Sequence, residues 1–89
     1  MKRLFPTNLF SRDLKRISKR GYRLVKLDLI LSVLLNEETL PASVRQHKLT
    51  GEWVGVWECH IEPDWLLIYE IKTEGIVLHR TGTHADLFD

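Results

Sequence analysis

His60-Ile61-Glu62-Pro63-Asp64-Trp65-Leu66-Leu67-Ile68-Tyr69 reads as the end of one strand, a tight turn at Pro63-Asp64 and the apolar body of a second strand. Working outward, Trp53 to Ile61, Trp65 to Lys72 and Ile76 to Arg80 are predicted strands, the last two separated by the turn Thr73-Glu74-Gly75. Connections this short make an antiparallel meander. In the first strand Trp53, Gly55, Trp57, Cys59 and Ile61 alternate with Val54, Val56, Glu58 and His60. Successive side chains of a strand point to opposite faces, so the tryptophan and isoleucine side is expected in the core, with Glu58 and His60 on the open side.

Upstream the period changes from two to about 3.6. Thr7 or Asn8 can cap a helix on which Phe10, Leu14 and Ile17 share one face. Gly21 ends it, because a residue without a side chain takes the left-handed conformation at little cost. A second helix is expected from Tyr22 or Arg23 to Leu35, with Leu24, Leu27, Leu31, Leu34 and Leu35 inward. This leucine stripe is too short for a coiled coil and reads as core. Lys2 to Phe5 is a candidate edge strand, stopped by Pro6, and the segment from Asn36 to Thr50 is read as a connecting loop. The expectation is an α+β fold in which an N-terminal helical hairpin packs on one face of a small antiparallel sheet.

Eighty-nine residues, 44% hydrophobic and 28% charged, make one soluble domain. No apolar run approaches the roughly 18 to 20 residues of a membrane span, and no signal-peptide core follows Met1. Cys59 is the only cysteine, so no internal disulfide forms and a cytoplasmic location is expected. The net charge of +1 hides a polar layout. Nine bases from Lys2 to Lys26 stand against Asp13 alone, whereas from Gly51 onward Lys72 and Arg80 face eight acids. Arg12, Lys15, Arg16, Lys19 and Arg20 lie opposite Leu14 on the first helix. They form either a solvated face or a docking surface for RNA or an acidic partner.

The chemistry-bearing residues are concentrated around the quoted turn and in the tail Arg80-Thr81-Gly82-Thr83-His84-Ala85-Asp86-Leu87-Phe88. Histidine exchanges protons near neutral pH. RNA carries its own nucleophile in the 2′-hydroxyl, so a base, an acid and a cation for the charged phosphorane suffice for cleavage without metal. His60, Asp64, His84 and Arg80 could divide these roles, and Trp65 and Phe88 could stack on bases, a contact worth about 1–3 kcal/mol. His79 reads as structural. A metal site drawn from His47, His60, Asp64 and His84 is the rival reading, but the spacing matches no closed zinc pattern, and neither metal nor cofactor is expected. Cys59 points away from His60 and is an unsuitable nucleophile.

Three runs carry a resemblance: His47-Lys48-Leu49-Thr50-Gly51-Glu52-Trp53, Cys59 to Tyr69, and Arg80 to Phe88. In them the chain resembles the RelE/ParE superfamily of bacterial toxins, and within it the YafQ-type mRNA interferases. The resemblance is close from His47 onward and weaker in the helical half. It implies an endoribonuclease that enters the A site of the 70S ribosome, cuts translated mRNA to a 2′,3′-cyclic phosphate and a 5′-hydroxyl, and is silenced by a cognate antitoxin protein. It places active-site roles on His47, His60, Asp64, Trp65, His84 and Phe88, with Arg80 as the basic neighbour. Val54 and Trp57 depart from the basic residues frequent in relatives at those positions. Two alternatives share the fold: a ParE-like toxin that inhibits a DNA topoisomerase by binding, and a catalytically silent antitoxin-binding module.

Overall fold

The computed structural model describes residues 2–51 and 54–88. Its elements in order are β1 (Arg3–Pro6), α1 (Asn8–Lys19), α2 (Leu24–Leu35), a single 3-10 turn (Ala42–Val44), β2 (His47–Lys48), β3 (Trp57–Glu62), β4 (Trp65–Ile71), β5 (Gly75–Gly82) and α3 (His84–Phe88). They form an α+β fold with a five-stranded sheet in the order β1-β5-β4-β3-β2. The meander from β2 to β5 is antiparallel, as expected. β1 adds at the far edge in the parallel sense, which makes the whole sheet mixed.

Thr7 caps α1, its hydroxyl accepting from the Phe10 amide. Gly21, with φ 87°, then turns the chain into α2. Both helices cover one face of the sheet: Phe10, Ile17, Leu27, Ile30 and Leu34 pack with Cys59, Trp65, Leu67, Tyr69, Ile76 and Leu78. Each such side chain removed from water contributes about 1.5–3 kcal/mol. Ile30 is buried, whereas Leu24 and Leu31 only border the core. No helix among the described residues is long and apolar enough to cross a membrane.

Three boundaries differ from expectation. The strand expected from Trp53 starts at Trp57, because Val54 and Gly55 form a turn in which Gly55 has φ 89°; Trp53 lies outside the described residues. The expected loop before Thr50 contains β2, which pairs His47 with Glu58 and Lys48 with Trp57. Two residues carry too little periodicity to reveal a strand, and only the β3 edge defines it. The tail continues β5 to Gly82 and then turns into the short helix α3.

A bulge at His79 decides which way the end of β5 faces. Tyr69 pairs with Leu78 but Ile68 with Arg80, so one residue is inserted into β5. Without it Arg80 would sit opposite Leu67 and point into the core. With it, Arg80 joins the outer face and Thr81 turns inward. Directly paired residues share a face. His47, Glu58, Ile68 and Arg80 therefore form one row across the outer side, and His60, Leu66 and Gly82 the next.

A histidine cluster on the outer face of the sheet

On this face the rings of His47 and His60 lie 6.3 Å apart, those of His60 and His84 6.1 Å, and those of His84 and Phe88 6.2 Å. Parts of the chain distant in sequence thus converge in one arc. β2 brings His47, β3 brings His60, the β3–β4 turn brings Asp64, and α3 brings His84 and Phe88. The sequence-predicted cluster of His60, Asp64 and His84 is assembled, and His47 joins it.

Hydrogen bonding fixes the tautomers. His47 Nδ1 lies 2.8 Å from the Arg45 carbonyl and His60 Nδ1 3.2 Å from the Pro63 carbonyl. A carbonyl only accepts, so both Nδ1 atoms carry hydrogen. Their Nε2 atoms face a single carboxylate oxygen, Glu58 Oε1, at 3.2 and 3.7 Å. His84 is held differently: Asp64 Oδ1 accepts both its backbone N–H at 3.0 Å and its Nδ1 at 2.8 Å. The backbone bond first, then the imidazole, hold the Asp64 carboxyl below its ordinary range. Nε2 of His84 is the ring nitrogen that Asp64 does not engage.

Glu58 is the residue that sequence reasoning missed. Alternation puts it beside His60 on the open side, but it is 6% exposed, beneath the two imidazoles. The available signal was a carboxylate two residues before a histidine in the same strand.

Trp65 corrects a sequence expectation. It is fully buried, donates from Nε1 to Thr81 Oγ1 at 2.9 Å and stands edge-on to Tyr22 at 5.1 Å, so it does not stack on RNA. Its indole anchors the start of β4 and thereby places Asp64, the preceding residue. Phe88, 45% exposed beside His84, keeps a free face.

Arg80 is also engaged. Its Nε and Nη2 donate to the buried Asp13 carboxylate at 2.6 and 3.1 Å. β1 pairs with β5 only as far as Leu78, and beyond that α1 lines the strand edge. There the Thr81 N–H donates to Asp13 Oδ2 at 3.2 Å. Any phosphate contact by Arg80 falls to Nη1.

On the basic face of α1, Arg16 reaches Asp13 and Asp86 at 3.2 and 3.5 Å, and Arg20 forks onto Asp86 at 2.7 and 2.9 Å. Two of the five cations read as a docking surface thus serve the fold, while Arg12, Lys15 and Lys19 stand outside these ion pairs among the described residues. The Arg20 fork is the largest influence holding the Asp86 carboxyl far below its ordinary range. His79 pairs with Glu70 at 3.1 Å, in keeping with a structural reading. Burial pushes the Cys59 thiol up to about 12, far from thiolate chemistry. Among the described residues no group of three or more His, Cys, Asp or Glu side chains is gathered to hold a metal ion.

A cavity of about 260 Å³ opens beside His60, lined by Ser43, Val44, Arg45, Ile61, Glu62 and Pro63. Arg45 at its rim is held left-handed at φ 53°.

Known proteins resemble this chain in sequence and fold. Residues 2–89 match the family described as the bacterial toxin of type II toxin-antitoxin system, YafQ. The mRNA interferase toxin YafQ of Escherichia coli K12 is 41% identical over 80 residues, covering 89% of this chain and 87% of that one. The crystal structure of the E. coli DinJ-YafQ complex superposes with a TM-score of 0.92 at 37% identity over the full length of both chains. A metal-bound toxin from Helicobacter pylori gives a TM-score of 0.93 at 34% identity over 99% of this chain and all of that one. With the match running from one end of the described fold to the other, the chain belongs to the YafQ family of type II toxin-antitoxin toxins.

Proposed function

We propose that this toxin is a ribosome-dependent endoribonuclease that cuts translated mRNA in the A site by metal-free acid–base chemistry. The observation that carries the reading is the arc of three imidazoles and a phenyl ring, neighbours about 6 Å apart, with Glu58 and Asp64 fixing the ring protons. The name mRNA interferase borne by the E. coli relative supports the same activity.

In this reading His84, its Nδ1–H held by Asp64, accepts the 2′-hydroxyl proton at Nε2. The 2′-oxygen then attacks phosphorus and the bond from phosphorus to the 5′-oxygen breaks. The leaving oxygen takes a proton from the His47–Glu58–His60 set, in which one carboxylate oxygen faces both Nε2 atoms. The products are a 2′,3′-cyclic phosphate and a 5′-hydroxyl. Arg80 steadies phosphorane charge through Nη1, and Phe88 stacks on a base. The cavity beside His60 offers room for a neighbouring nucleobase.

Arg12, Lys15 and Lys19 supply phosphate contacts to the ribosome. A cognate antitoxin, as the DinJ-YafQ complex suggests, silences the toxin in the cytoplasm. The apolar cleft of Leu4, Phe10, Leu14, Leu24 and Leu31 between helices and sheet suits one of its segments.

The test is primer extension on a defined mRNA with and without 70S ribosomes, for the parent, His60→Ala and His84→Ala. Discrete cuts within codons, present only with ribosomes and lost in both folded variants, are expected. Parent-like cutting by both variants, or DNA damage without RNA cuts, would defeat the proposal.

A further inference from the structure

We infer that Asp86, gripped from behind by Arg20, is a positioning residue that latches α3 so that His84 stays in the site. The consequence for activity rests on the nuclease reading above; the latch itself rests on the geometry of α3.

α3 spans five residues, far fewer than the roughly 12–15 at which an isolated helix becomes marginally stable. None of its residues is buried. His84 and Phe88 lie one turn apart on the front of the helix, each about half exposed, so little packing holds them from that side. Asp86 is two positions after His84, about 200° around the helix axis, and therefore on its back.

The polar contacts that tie α3 to α1 converge on that back, while Asp64 holds His84 from the front. Asp86 Oδ2 accepts the Thr83 N–H at 3.0 Å while Thr83 Oγ1 accepts the Asp86 N–H at 3.1 Å, a reciprocal cap that closes the first turn. The same carboxylate takes both terminal nitrogens of Arg20, from 66 positions earlier in the chain, and faces Arg16 Nη1 at 3.5 Å. Arg20 is itself rigidly based: it ends α1, its backbone N–H bonded to the Arg16 and Ile17 carbonyls, and Ile17 is fully buried. Gly82 bears independent witness to the tight fit. A Cβ there would stand 2.9 Å from Asp86 Oδ2 and 3.0 Å from Asp86 Cβ, so the residue that ends β5 leaves space for the carboxylate.

α1 thus grips α3 through its back while the front presents His84 to Asp64 and His60. A reacting group displaced by about 1 Å loses on the order of 100-fold in rate, so the latch acts on turnover rather than on RNA affinity.

Two measurements test this. In ribosome-dependent cleavage, Asp86→Asn and Arg20→Gln are expected to lower kcat by about 10- to 100-fold with KM and far-UV circular dichroism unchanged. Asp86→Glu, which keeps both charge and cap, should recover most of the rate. The second needs neither RNA nor ribosome: NMR titration of the Asp64 carboxyl. The His84 N–H and imidazole draw its midpoint below the ordinary range and the Asp86 charge pushes it up, so Arg20→Gln, which keeps that charge, should raise it toward that range, whereas in Asp86→Asn the lost charge works against the rise. An unmoved Asp64 midpoint in Arg20→Gln overturns the latch, and a parent-like kcat in both variants overturns its positioning role. A parent that cuts no mRNA defeats the nuclease reading instead, leaving the Asp64 titration to decide the latch.

Discussion

Two aromatic residues, Trp65 and Phe88, flank the site with opposite duties. Trp65→Ala empties a fully buried position and removes one of the two hydrogen bonds of the Thr81 hydroxyl, so a loss of about 3–5 kcal/mol in urea unfolding is expected. Phe88→Ala, on an exposed ring, should leave unfolding unchanged and weaken RNA engagement by about 1–3 kcal/mol, read as a raised KM. Glu58 acts at the same scale. Because its Oε1 lies between two Nε2 atoms, Glu58→Gln keeps the shape but gives up the shared proton-holding charge. Single-turnover cleavage should fall by about 10²-fold or more without loss of ribosome binding. The strand pattern made His60 and Glu58 neighbours on one face; that the carboxylate lies under the imidazoles was beyond its reach, since alternation gives direction but not depth.

α3 shows how a short element borrows order from a longer one, and the borrowing is sensitive to acid. Asp86 is held in its charged form by the Arg20 fork, so its folded pKa lies below its unfolded value of about 3.9. Such a group stabilises the fold fully above the unfolded value and loses that contribution as pH falls through the folded one. The parent should melt several degrees above Asp86→Asn at pH 7, and thermal scans should show the gap closing once pH drops below about 3.9. α1 illustrates the limit of helical-wheel reasoning. Its charged face was legible from spacing, yet Asp13, the one acid among the bases, proved to be 1% exposed, accepting from Arg80 and the Thr81 N–H at the β5 edge.

Across the whole molecule, the opposition of a basic first third and an acidic second half serves folding. Arg16 and Arg20 meet Asp86, and Lys26 meets Glu62, in ion pairs that tie the helical hairpin to the sheet half. Among the described residues, Arg12, Lys15 and Lys19 of the predicted docking face stand outside these pairs, which makes them the ones proposed to exchange counterions for phosphates. Reversing all three charges should flatten the slope of log affinity against log salt for 70S binding by about one for each phosphate left unneutralised. An unchanged slope would remove α1 from the ribosome interface.

The order of letters was enough for what depends on near neighbours. It determined the α+β class, the capped first helix ending at Gly21, the two faces of the meander, the grouping of His60, Asp64 and His84, and the likeness to the toxin family. These follow from caps, turn residues and side-chain period, which act over a few positions. Tertiary structure decided the rest: β2 exists because the β3 edge pairs with it, Arg80 faces outward because one residue is inserted at His79, and Trp65 sits in the core rather than on RNA. It also chose Asp13 for Arg80 and Asp86 for Arg20, partners 67 and 66 positions apart. Which distant charges meet depends on which elements lie side by side, and packing, not period, settles that.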